Sequence, residues 1–106
     1  MPVALILSFA LFAFAMTSSA MAASPAELRG RTFAQTNCAR CHSIDRSTAS
    51  PLAIAPPFRT LHKKYPIDTL AEALAEGIDT GHPTMPMFVL EPDQINDLLS
   101  FLKSLK

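Results

Sequence analysis

Apolar and polar positions divide this 106-residue chain into one unbroken apolar stretch and a series of short amphipathic segments. Residues 1–23 hold 18 apolar side chains and no charge. From Ser24 onward the apolar positions recur with helical period. Ser24-Pro25-Ala26-Glu27 has the form of a capping box with proline at the first helical position, and it predicts a helix from 25 toward Asn37. Residues 43–58 lack periodicity, and Pro51, Pro56 and Pro57 mark a loop. A short helix is predicted over 58–64 and must stop before Pro66, because the residue preceding proline disfavours helix. Another is predicted over 69–76, with Asp68 as its cap, Leu70 and Leu74 at i and i+4, and Gly77 at its end. Residues 78–90 form a second proline-bearing loop. Pro92 opens the last helix, where Ile95, Leu98, Leu99, Leu102 and Leu105 make one stripe. No segment alternates with period two. The fold class is therefore all-α, with three to five helices and long loops between them.

The apolar stretch contains VALILSFALFAFAM at residues 3–16, followed by small residues that fit an A-x-A cleavage site at Ala20-Met21-Ala22. Residues 1–23 are predicted to be a signal peptide, cleaved near Ala22 or Ala23, leaving a domain over 24–106. No Lys or Arg precedes the apolar run, which departs from the usual pattern. The alternative is an uncleaved anchor, since about 20 apolar residues span a bilayer. Both place the domain outside the cytoplasm; only a retained anchor would hold it at a membrane.

With the leader set aside, 34 of the remaining 83 residues are apolar, as in an ordinary small soluble domain. That length excludes a barrel or a doubly wound sheet. So small a core usually recruits a disulfide, a metal or a cofactor. Two cysteines cannot build a disulfide scaffold, and nine basic residues against nine acidic ones give no sign of a nucleic-acid partner.

Cys38-Ala39-Arg40-Cys41-His42 is the C-x-x-C-H pattern of covalent haem attachment. Two thiols three positions apart can each add to one vinyl group on the same porphyrin edge. The histidine that follows then lies under the macrocycle with a ring nitrogen aimed at the iron. A redox dithiol would need a βαβ setting that is absent, and a zinc site would need a second ligand pair. His62 and His82, 20 residues apart, form no such pair. His62 reads as a surface histidine beside Lys63 and Lys64, and His82 precedes a proline in the later loop. A second axial ligand is expected downstream, and either Met85 or Met87 could supply it from the loop HPTMPMF. The other methionine would then pack nearby.

These residues resemble the small class I c-type cytochromes of bacterial periplasms, over about 29–105. Gly30 and Phe33 match the glycine and aromatic residue of that family's first helix, and Cys38, Cys41 and His42 its haem-binding motif. Ala55-Pro56-Pro57-Phe58 is similar to the loop whose first proline carbonyl accepts a hydrogen bond from the ligand histidine. Gly81-His82-Pro83-Thr84-Met85-Pro86 resembles the methionine loop, which selects Met85 over Met87; Met87 stands where a polar residue would be expected. Phe101 matches an aromatic residue of the last helix.

The resemblance implies a cytochrome c-like fold around one covalent haem c, ligated by His42 and Met85, with Pro56 orienting the histidine. The expected pocket draws on Phe33, Phe58, Leu70, Leu74, Phe88, Leu99 and Leu102. The expected function is that of a monomeric periplasmic electron carrier, not an enzyme, shuttling single electrons between oxidase, reductase or dehydrogenase partners. The alternatives are a haem-bearing subunit of a membrane oxidase or dehydrogenase, or a haem sensor or peroxidase with a displaceable sixth ligand. Residues 25–66 carry seven basic and two acidic side chains, and 67–106 the reverse. Such a dipole can orient a carrier on a charged partner.

Overall fold

The first helix begins where its capping residues say it should. Ser24 Oγ accepts the Glu27 backbone N–H at 3.1 Å, and Pro25 fills the first turn, where no amide donor is needed. In the computed structural model, which describes residues 13, 15, 22–77 and 84–106, α1 spans Pro25–Asn37. A 3₁₀ turn at Phe58–Thr60 runs into α2, Leu61–Lys64. A second at Ile67–Thr69 runs into α3, Leu70–Glu76. The last helix, α4, covers Pro92–Ser104, and the Glu91 backbone N–H donates to Gln94 Oε1 at 3.0 Å in its first turn. No strand occurs among the described residues, which bears out the all-α class. No helix among them is long and apolar enough to cross a membrane. The predicted leader, apart from Ala13, Ala15, Ala22 and Ala23, lies outside the described residues, as do Gly81, His82 and Pro83.

Two expectations need correction. The helix over 58–64 is tightened to 3₁₀ in its first turn, because Pro56 and Pro57 hold the entry extended and Thr60 Oγ1 donates back to the Pro57 carbonyl at 2.7 Å. Asp68 is not the cap of α3. It sits within the preceding 3₁₀ turn, and its carboxylate meets Lys103 Nζ at 2.6 Å instead. Gly77 does end α3, at φ +81°, a left-handed conformation that glycine adopts without strain.

The helices pack as they do because α1 and α4 cross at a glycine. A Cβ on Gly30 would stand 2.0 Å from the Asp97 carbonyl oxygen and 2.8 Å from Phe101 Cβ, so only a bare Cα allows this approach. Beside the crossing, Arg29 grips Asp97 with two parallel bonds, Nε to Oδ2 and Nη2 to Oδ1, each 3.0 Å. Ala34, Leu98, Phe101 and Leu102 are buried along the contact, and Phe58, Leu61, Ile67 and Leu90 extend the same core. The Leu90 backbone N–H donates to the Leu74 carbonyl at 2.8 Å, which ties the chain approaching α4 onto α3.

Candidate functional site

The C-x-x-C-H segment is one extra turn on the end of α1. The Cys38 N–H closes on the Ala34 carbonyl at 2.8 Å, and the Cys38 carbonyl accepts from Cys41 at 3.2 Å and His42 at 3.0 Å. The turn thus gathers both half-buried thiols and the imidazole within five residues. His42 is buried, with its ring 4.9 Å from that of Phe58. Its Nδ1 lies 2.8 Å from the Pro56 carbonyl oxygen. A carbonyl only accepts, so Nδ1 carries the proton and the imidazole lone pair resides on Nε2, the nitrogen suited to a metal. Pro56 is held in place because the Phe58 N–H donates to the Ser43 carbonyl at 2.9 Å.

From this turn a cavity of about 200 Å³ opens between α1, α3 and α4. Phe33, Phe58, Leu61, Leu70, Leu74, Phe88, Leu98 and Leu102 line it, together with Cys38, His42, Pro56 and Met85. A smaller recess beside it is walled by Cys38, Cys41, His42, Met85 and Pro86. Met85 borders both spaces. Met87 borders neither: it is 65% exposed and rests on Gly77, with Sδ 2.9 Å from where a Cβ there would be.

Of the seven expected pocket residues, six are present and Leu99 is not. Leu99 is buried but turns toward α3 with Ile95, four positions earlier, while Leu98 and Leu102 share the face that meets the cavity. Lys64 and Tyr65 also line the cavity, a contribution missed in the sequence. Their only signal was spacing, since Lys64 lies one turn after the core residue Leu61 on α2. His62 is half-buried on the same helix and lines no part of the cavity.

The donor set suits haem: two thiols for attachment, then an imidazole and a thioether as soft iron ligands, in an apolar chamber. Burial pushes the Cys38 thiol up to about 11, whereas a reactive dithiol needs its thiolate favoured. Among the described residues no three His, Cys, Asp or Glu side chains converge as a protein zinc site requires.

Fold and site together define a small helical protein shaped around one covalently attached haem. Comparison with known proteins is specific: the cytochrome c family model matches residues 28–106, and the chain belongs to the cytochrome c family. It is 32% identical over 103 residues to cytochrome c6 of Nostoc sp., covering 92% of this chain and 85% of that relative. It is 31% identical over 90 residues to cytochrome c-552 of Bradyrhizobium diazoefficiens, covering 85% of this chain and 83% of that one. No solved structure matches. The chain is thus a small class I c-type cytochrome, an electron-transfer protein with covalent haem c and redox partners, rather than an enzyme.

Proposed function

We propose that the chain is an exported, soluble electron carrier whose haem is bonded to Cys38 and Cys41 and ligated by His42 and Met85. The observation that carries this reading is the convergence of Cys38, His42 and Met85 on one apolar cavity. When bound there, haem supplies a one-electron ferric–ferrous couple. The residues do the rest. The Pro56 carbonyl orients the His42 ring and raises its basicity. The Met85 thioether and the His42 imidazole would hold the iron of a bound haem, the thioether favouring the ferrous state, so that electron transfer would need little rearrangement of the protein. The leucine and phenylalanine walls keep water out and favour the less charged, reduced form. Lys64 and Tyr65 also line the chamber and would offer a cation and a hydroxyl to the carboxylates of a bound haem.

Residues 1–23 are the export signal in this reading, and residues 24–106 act in the periplasm as a monomer. Electrons pass between oxidase, reductase or dehydrogenase partners, which the basic half of the chain helps to orient. Met85→Ala tests the ligand set. It should lower the midpoint potential and let the reduced protein bind carbon monoxide; an unchanged spectrum and potential would remove Met85 from the iron.

A further inference from the structure

We infer that Arg59 is a positioning residue for the His42 imidazole, an inference that rests on the axial role proposed for His42. Arg59 follows Phe58 directly in the 3₁₀ turn and is half-buried. One of its nitrogens, Nη1, reaches the Thr48 carbonyl at 2.7 Å, Ser43 Oγ at 3.2 Å and, more loosely, the Asp45 carbonyl at 3.4 Å. These acceptors form a shaped cup. Asp45 Oδ1 accepts from the backbone N–H groups of Ser47 at 2.8 Å and Thr48 at 2.7 Å, and Oδ2 accepts from Thr48 Oγ1 at 2.6 Å. Ser43 is buried, with its N–H donated to Ser50 Oγ at 3.0 Å.

The cup matters because of what it brackets. Ser43 is the residue after His42, and Phe58 lies two residues after Pro56. The Phe58 N–H to Ser43 carbonyl bond and the Arg59 contacts therefore clamp the two chain segments that carry the Nδ1–H···O=C bond. Arg59 spends its donors on neutral oxygens, so it acts as a clamp more than as an ion-pair partner. A lysine keeps the charge but carries its nitrogen on a flexible stem, in place of Nη1 held in a rigid plane. With the clamp loosened, the Pro56 carbonyl would hold the imidazole proton less firmly. The ligand becomes less basic, the ferric state loses support, and the midpoint potential rises. Loss of a cation alone acts in the opposite sense, since it favours the ferric state and lowers the potential.

Arg59→Lys and Arg59→Met separate the two effects. In haem-loaded protein, both variants should keep a low-spin spectrum; Arg59→Lys should raise the midpoint potential, and Arg59→Met, which also loses the cation, should raise it by less. Both should also speed exchange of the His42 Nδ1 proton by about tenfold or more, the factor one charged hydrogen bond supplies. An unchanged Lys variant beside a lowered potential in the Met variant would reduce Arg59 to a bystander charge and overturn the inference. So would unchanged proton exchange in both. Should Arg59→Met fail to fold, Ser43→Ala removes one wall of the cup and must shift potential and exchange in the same direction as the Lys variant. A wild-type protein without a low-spin spectrum overturns the axial role of His42 itself, before any variant is compared.

Discussion

Gly30→Ala is the change to which the helical frame should respond most sharply. The added methyl would sit 2.0 Å from the Asp97 carbonyl oxygen, against 3.4 Å for the closest ordinary contact. The helices would have to part by about 1.4 Å, since the obstacles are main chain and a Cβ rather than the far end of a flexible side chain. Overpacking of this kind costs about 1–3 kcal/mol, and the rigidity of the obstacles puts it at the upper end. Alanine returns about 1 kcal/mol by its better helix propensity. The net loss is about 2 kcal/mol, or roughly 10 °C in melting temperature for a domain of this size. The assay is thermal unfolding of the haem-loaded protein, followed by far-ultraviolet circular dichroism and at the haem absorption band. Gly77→Ala is the control: it strains a left-handed residue, costing about 1–2 kcal/mol, but meets the movable Met87 side chain. A Gly30→Ala protein as stable as the parent, or more so, would refute the close crossing of α1 and α4. Because α1 delivers Cys38 and His42 while α4 supplies Leu98 and Leu102, it would also refute the account of how the chamber is framed.

Two other perturbations have definite outcomes. Met87→Leu should leave both the absorption spectrum and the midpoint potential unchanged, because Met87 lies outside the cavity; loss of the low-spin spectrum would make it the ligand. The hydrogen bonds from Thr48 hold the Asp45 carboxyl down at about 2, against an ordinary 3.8. A folded-state value below the unfolded one means that the carboxylate stabilises the fold above about pH 4 and that this contribution is lost as pH falls toward 2. Asp45→Asn should therefore flatten the fall in melting temperature between pH 4 and pH 2. Parallel curves for the two proteins would show that Asp45 does not hold the 43–48 turn.

Local chemistry made part of this molecule legible in its sequence. Cys38, Cys41 and His42 stand at a spacing that suits three bonds to one cofactor, and one turn gathers them. The ends of α1 and α4 were equally plain, since Ser24, Pro25 and Pro92 act within a single turn. What escaped depends on partners distant along the chain. Asp68 has the composition of a cap, yet it is drawn to Lys103, 35 positions later. Gly30 and Phe101 were picked out by resemblance alone; the physical reason, a close approach of Gly30 to the Asp97 carbonyl and Phe101, lies in the packing. The stripe on α4 is wide enough to serve two surfaces, so Leu98 and Leu99 could not be assigned to cavity and α3 without the packing. Arg59 likewise reads as a surface cation until the loop folds back to present Ser43 and Thr48.

The central claim, one haem held by Cys38 and Cys41 and closed on both faces by His42 and Met85, is tested most directly by absorption spectroscopy. The full chain would be expressed with a haem-attachment system and examined oxidised, dithionite-reduced, and reduced under carbon monoxide. The account predicts a sharp low-spin reduced spectrum, a weak far-red methionine-to-iron band in the oxidised protein, and no shift with carbon monoxide. High-spin character or ready carbon monoxide binding would contradict it by taking Met85 off the iron, and absence of covalent haem would contradict it at Cys38 and Cys41.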